Sequence, residues 1–162
     1  MDTEHLGKGP LNALVVLRIF IGWHFLYEGI FKLHTPNWTA KGYLLSAEGF
    51  LSPIFSWLAS DSLINIVDFF NIACMIVIGL ALVLGYFERL GAILGVALLL
   101  LFYFAHPAFP GLEQLGADGN FWFINKNLVE AAALLVLFYL PTGDYFGIKR
   151  LFGTTGEPQT TN

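Results

Sequence analysis

Residues 11–33 read LNALVVLRIFIGWHFLYEGIFKL, and their reading decides the fold. A helix crossing ~30 Å of hydrocarbon needs about 20 predominantly apolar residues, and Leu11 to Leu33 supplies them. The same run carries Arg18, His24, Glu28 and Lys32. Ionisable groups at that depth are costly and face a bundle interior or a wet cavity. His24, Glu28 and Lys32 follow at i, i+4 and i+8 and share one helix face. Arg18 falls within the same ~120° arc. The rest of the chain is expected to wall the cavity this face looks into.

Composition points the same way. The chain is 56% hydrophobic and 12% charged, about half the charge of an ordinary soluble domain, and its mean hydropathy is +0.67. These values exclude a typical soluble domain and fit one compact membrane domain. The 16 Phe, 6 Tyr and 4 Trp suit a lipid-facing surface with aromatic belts. A net charge of −4 offers no basic patch for nucleic acid. The single cysteine, Cys74, excludes an internal disulfide, a CxxC pair and a thiolate cluster and reads as a small apolar filler. The first apolar run is too long and too charged for a cleaved signal peptide.

Outward from that run, Met1 to Pro10 reads as a short leader, and His34-Thr35-Pro36 ends the first helix, because a residue before proline disfavours helix. The stretch from Thr35 to Asp61 is too apolar for a free loop. Within it Ser52-Pro53 is an N-cap followed by proline at the first helical position. The helix this starts, Pro53 to Ala59, is too short to span and reads as an interfacial piece over the bundle. A second spanning helix is expected over about Leu63–Tyr86, with Asn65, Asp68 and Asn71 in its first half. Glu88-Arg89 makes a short turn into an antiparallel third helix, about Leu90–Ala105, whose Gly91 and Gly95 form a small-xxx-small pair. After a polar loop, His106 to Asn120, a fourth helix runs from about Trp122 to Leu140, with Lys126, Asn127 and Glu130 near its start. Pro141-Thr142-Gly143 stops it, and residues 143–162 form a tail whose last part, GTTGEPQTTN, has a disordered composition.

The expected fold is therefore an all-α membrane protein. It is an antiparallel bundle of four transmembrane helices over residues 11–142, with an interfacial segment between the first and second. Lys8, Arg89, Lys149 and Arg150 fall on one side, against Lys41 on the other. The positive-inside rule places leader and tail in the cytoplasm and the protein in the cytoplasmic (inner) membrane.

Depth then brings the polar groups together. The second half of the first helix, the first half of the second, the end of the third and the start of the fourth lie at one level. At 1.5 Å per residue each polar group lies within ~15 Å of the outer boundary. Glu28, Lys32, Asp68 and Glu130 are the expected catalytic groups. Arg18, His24, Tyr103, Lys126 and Asn127 are the expected cofactor-binding groups. Arg18, Lys32 and Lys126 balance Glu28, Asp68 and Glu130, as buried charges must be balanced. The plainer reading is snorkelling or structural pairing, and it weighs most for Lys32, Lys126 and His106. Trp38, Trp57 and Trp122 read as interface anchors. His24 and His106 differ by roughly two turns in depth, so no bis-His haem is expected. No ligand spacing is diagnostic of a metal, and none is expected.

Arg18-x3-Gly22, Phe25, Gly29-x2-Lys32, Trp38-Thr39 and Gly42-Tyr43-Leu44 resemble the DoxX/DoxD-like family of small four-helix membrane proteins. Asn125-Lys126-Asn127-Leu128-Val129-Glu130 is similar to that family's last helix, and the likeness covers about Leu11 to Leu140. The family includes the membrane subunit of thiosulfate:quinone oxidoreductase. The resemblance implies a quinone-linked redox role, with quinone as cofactor, thiosulfate or another small sulfur compound as donor, and a second redox subunit as partner. The alternative is a non-enzymatic chaperone or anchor for a membrane protein partner, motivated by the apolar 35–61 segment. A proton-coupled carrier lacks the broken helices and inverted repeat that usually mark one.

Overall fold

The computed structural model describes residues 6–107, 122–148 and 150. Among these residues the elements are α1 (Lys8–His34), α2 (Lys41–Leu45), α3 (Ser52–Leu58), α4 (Ile64–Leu84), α5 (Glu88–Ala105) and α6 (Lys126–Tyr139), with no β-strand. Three helices, α1, α4 and α5, are long and apolar enough to cross a membrane. The fourth long helix is shorter than its hydropathy suggests. α6 has 14 residues, about 21 Å at 1.5 Å per residue. It starts late because Trp122 sits in the left-handed region and Asn125 takes the N-cap, its Oδ1 accepting from Leu128 N–H at 3.2 Å. The polar loop, apart from its first two residues, and the last part of the tail lie outside the described residues.

The four long helices contact one another in a ring: α1 with α4, α4 with α5, α5 with α6, and α6 back to α1. Their inward faces form one core that includes Ile21, Phe25, Ile78, Leu82, Leu134 and Leu137. The closest seam is between α1 and α4, where glycine removes the side-chain barrier. A Cβ at Gly79 would stand 2.6 Å from Leu26 N, and one at Gly22 would stand 2.9 Å from Val83 N. The Gly91/Gly95 pair serves two neighbours instead of one: Gly91 faces Ala81 of α4 and Gly95 faces Leu134 of α6. Outward faces carry large apolar side chains such as Phe20, Phe69, Phe70 and Leu101, as lipid contact requires.

The turn joining α4 to α5 spans Gly85 to Phe87, and both of those residues take left-handed backbone. Glu88, expected in that turn, opens α5 and is buried. The 35–61 segment folds as α2 and α3 around a second apolar cluster of Ala40, Leu44, Phe55, Ala59, Ile64 and Ala105. Helix α2 had no separate signature in the sequence. The segment caps the ring where α1 and α5 end and α4 begins. Lys8 to Pro10, read as leader, already belong to α1. After α6, residues 142–148 fold back onto the α4–α5 turn: Gly143 N–H donates to Glu88 Oε1 at 2.9 Å and Ile148 N–H to Leu84 O at 2.8 Å.

Candidate functional site

At the capped end the helices part around a cavity of about 480 Å3. α1 contributes His24, Glu28 and Lys32, α4 contributes Asn71 and Met75, and α5 contributes Phe102, with His106 just past its end. The chain leading into α6 contributes Asn125, Lys126 and Asn127, and the cap closes the top with Trp38, Thr39, Ala40 and Tyr43. The shared face of α1 and the start of α6 thus meet one space, at one depth, as their spacing predicts.

The charged groups inside are loosely held. Lys32 Nζ lies 4.0 Å from Glu28 Oε2 and 3.3 Å from Met75 Sδ. It sits 5.2 Å above the Trp38 ring and 5.8 Å from the Phe102 ring, so aromatic faces support the ammonium. His24 Nδ1 meets Glu130 Oε1 at 2.8 Å and bridges α1 to α6. Asn71 Oδ1 and His106 Nδ1 are buried with no hydrogen-bond partner among the described residues. His106 Nε2 lies 3.1 Å from Tyr43 O, and the two rings pack at 4.4 Å. Tyr43 donates its hydroxyl to Phe102 O at 3.1 Å, and burial pushes its pKa up to about 12. A neutral phenol is therefore held in the roof.

Four of the expected site residues do not line the cavity. Arg18, wholly buried, does not line the cavity. Its Nη1 donates to Glu88 Oε2 at 2.9 Å and Thr142 Oγ1 at 3.0 Å, and its Nη2 donates to Phe146 O. The expected balance of three bases against three acids is thereby corrected: Arg18 is neutralised at the α4–α5 turn by an acid that sequence reasoning had placed in a loop. Asp68 accepts the Ala40 N–H at 2.8 Å, so it anchors the roof from behind. Tyr103 donates its hydroxyl to Phe123 O at 2.9 Å and fixes the approach to α6. Glu130 stands beside the cavity, in a groove between α1 and α6.

Trp38, Tyr43 and Phe102 line the site although the sequence did not single them out for it, and Asn71 and His106, expected at the converging level but not as catalytic or cofactor-binding groups, line it too. The apolar character of 35–61 was the available signal for the first two, since a segment that will not stay in water must cover something. Outside the ring, Lys41 pairs with Asp61 at 2.5 Å, and that hydrogen bond holds the Asp61 carboxyl below its usual range. Among the described residues no three His, Cys, Asp or Glu side chains gather closely enough to hold a metal ion.

A family model described as DoxX matches residues 13–107, more than half of the chain. That span holds the cavity walls of α1, α4 and α5 and the whole roof. No curated protein and no solved structure matches the chain.

Proposed function

The chain belongs to the DoxX family, and on that premise we propose that this multi-pass membrane protein is a quinone-linked oxidoreductase subunit whose cavity holds the quinone head. The reading takes α1, α4, α5 and α6 as an antiparallel bundle across the inner membrane. Both termini lie in the cytoplasm and the cavity lies in the outer half of the bilayer. The ring of helix contacts and the placement of Lys8, Arg89, Lys149 and Arg150 support that arrangement.

One observation carries the redox reading. Lys32 has donor capacity facing the cavity, with only the Met75 thioether within hydrogen-bond distance among the described residues and no carboxylate nearer than 4.0 Å, between two flat aromatic walls. A ring with carbonyl oxygens fits that donor set: Lys32 and His24 would hold the oxygens, and Trp38 and Phe102 the ring. Asn71 Oδ1 and His106 Nδ1 offer further polar contacts. When bound, a quinone supplies a two-electron, two-proton acceptor. His24 and Glu130, 2.8 Å apart, form a pair that can hold and hand over a proton. Glu28, with 40% of its side chain exposed, links the cavity to water. Lys32 and Lys126 attract an anionic donor. With thiosulfate, two anions coupling through sulfur to tetrathionate release the two electrons. A partner subunit would bind that donor.

The test is extraction and titration. Purified protein should carry quinone, and Lys32→Met should weaken quinone binding about tenfold, the loss of one charge-assisted hydrogen bond. Protein that binds no quinone, and reduces none with thiosulfate whether or not partner candidates are added, rules the reading out.

The cap favours a second reading. Phe50, Ile54 and Trp57 are more than half exposed on the α3 side, which suits docking of a membrane protein by an anchor or chaperone. Pull-down in mild detergent would then yield one stoichiometric partner, retained by Glu28→Gln and Glu130→Gln. Loss of the complex in those two variants alone would return the argument to the cavity.

A further inference from the structure

A second hollow of about 460 Å3 opens from the side of the cavity, between α1 and α6. Leu17, Phe20 and Ile21 form one wall, Val129 and Ala133 the other, and the hollow shares His24, Asn125 and Lys126 with the cavity. Its polar groups are confined to the cavity end, where His24 meets Glu130. Away from that junction the lining is apolar. From His24 to Leu17 and from Lys126 to Ala133 the groove follows both helices for roughly 10 Å, at 1.5 Å per residue. α1 and α6 make the sparsest contact in the ring, and Phe20 and Val129 are 69% and 61% exposed. The groove therefore opens toward the lipid side of the protein.

We propose that the molecule bound in the cavity is an amphiphile whose linear apolar chain lies in this groove and reaches the bilayer between α1 and α6. The inference rests on reading the cavity as a ligand site, and it adds a chain and a lateral route to the head group placed there. A shared wall commits the groove to that occupant: an open apolar groove begins where the polar cavity ends, with His24, Asn125 and Lys126 common to both. A packed helix would need small residues along the groove, and Leu17, Phe20 and Ile21 are large. The His24–Glu130 pair marks the joint between head and chain.

Two probes test this on the full chain in detergent: a benzoquinone bearing a ten-carbon chain, and the same ring with a methyl group in its place. Binding is read by quenching of tryptophan fluorescence. The wild type should bind the chain-bearing probe about tenfold more tightly, as burial of a few methylenes implies. Ala133→Phe, which fills the groove, should abolish that advantage and leave the methyl probe within about twofold. If that variant fails to fold, Val129→Phe, at an exposed position, carries the test. Equal affinities in the wild type, or an advantage that survives both substitutions, overturns the groove and leaves the quinone reading standing. If neither ring binds, the quinone reading fails and the groove is judged by a fatty acid with a mid-chain diazirine. Crosslinks concentrated on the peptides carrying Phe20 and Val129, and reduced by Ala133→Phe, uphold the chain site. Even labelling over all exposed helix faces overturns it.

Discussion

Two charged regions along α1 handle charge in opposite ways. Arg18 is fully buried and donates to Glu88, Thr142 and Phe146 O, while the second Glu88 oxygen takes the Gly143 N–H. That knot ties three distant parts of the chain together, and its charge is met inside the protein. About three to four turns further along the helix, Lys32 and Glu28 stand 4.0 Å apart, and Asn71 and His106 each keep a buried polar atom with no partner among the described residues. Opposite charges inside an apolar bundle are thus not one kind of feature. A close buried pair whose carboxylate and terminal guanidinium nitrogens are met by its own protein holds the fold, even with Arg18 Nε left without a partner among the described residues. The Lys32 and Glu28 set facing the cavity has no such close ion pair to hold it.

The largest effect tests the knot. Arg18→Met strands a buried carboxylate and should lower stability by about 3–5 kcal/mol, as breaking a buried pair does. Arg18→Met combined with Glu88→Met should lose much less than the sum of the single changes. Unfolding in detergent followed by circular dichroism measures both, and additivity would erase the contrast between the two regions.

At the cavity the expectation reverses. Glu28→Gln and Lys32→Met should each shift stability by less than about 1 kcal/mol, since the pair is long and partly solvated. They should combine almost additively, while ligand binding falls. A coupling as large as that of Arg18 with Glu88 would show that the cavity charges are structural too.

Tyr43 sharpens the comparison through pH. Burial raises its pKa to about 12, so the fold favours the neutral phenol. That contribution is whole below the ordinary tyrosine value of about 10 and is lost as pH climbs through the folded-state value. Phenolate absorbance should show a tyrosine step near pH 12, with the α2–α3 cap loosening as it occurs. Tyr43→Phe should remove that step from the titration.

The smallest effect belongs to the Lys41–Asp61 pair. Asp61 has 91% of its side chain exposed. Its lowered pKa means that any contribution is present above the ordinary carboxylate value and lost as pH falls through the folded-state value. Asp61→Asn should leave the melting temperature unchanged at neutral pH. A clear drop would show that the cap is held by charge and not by its apolar cluster.

Element positions were legible because hydropathy and helical period are local. α1, α4 and α5 lie within a few residues of their expected bounds, and α3 begins at Ser52, although Leu51 and not Ser52 takes the N-cap position and no side chain caps it. The start of α6 was not legible, because the left-handed Trp122 and the Asn125 cap override an apolar run. Of the expected site, His24, Glu28, Lys32, Lys126 and Asn127 do share the cavity. Spacing along one helix and depth along four are both readable from sequence, and those two quantities selected them.

By itself, then, the sequence determined that this is an apolar helical chain with ionisable groups set into it, and at which level along each helix they lie. Only the tertiary structure decided which charge meets which. Arg18 shares an arc of α1 with His24 and Lys32, but its partner Glu88 is the first residue of α5, brought within 2.9 Å by a chain reversal at Gly85–Phe87. Helical period fixes direction around an axis. It carries no information about how far the neighbouring helix extends or where its turn will fall, and at short range those lengths choose the partner.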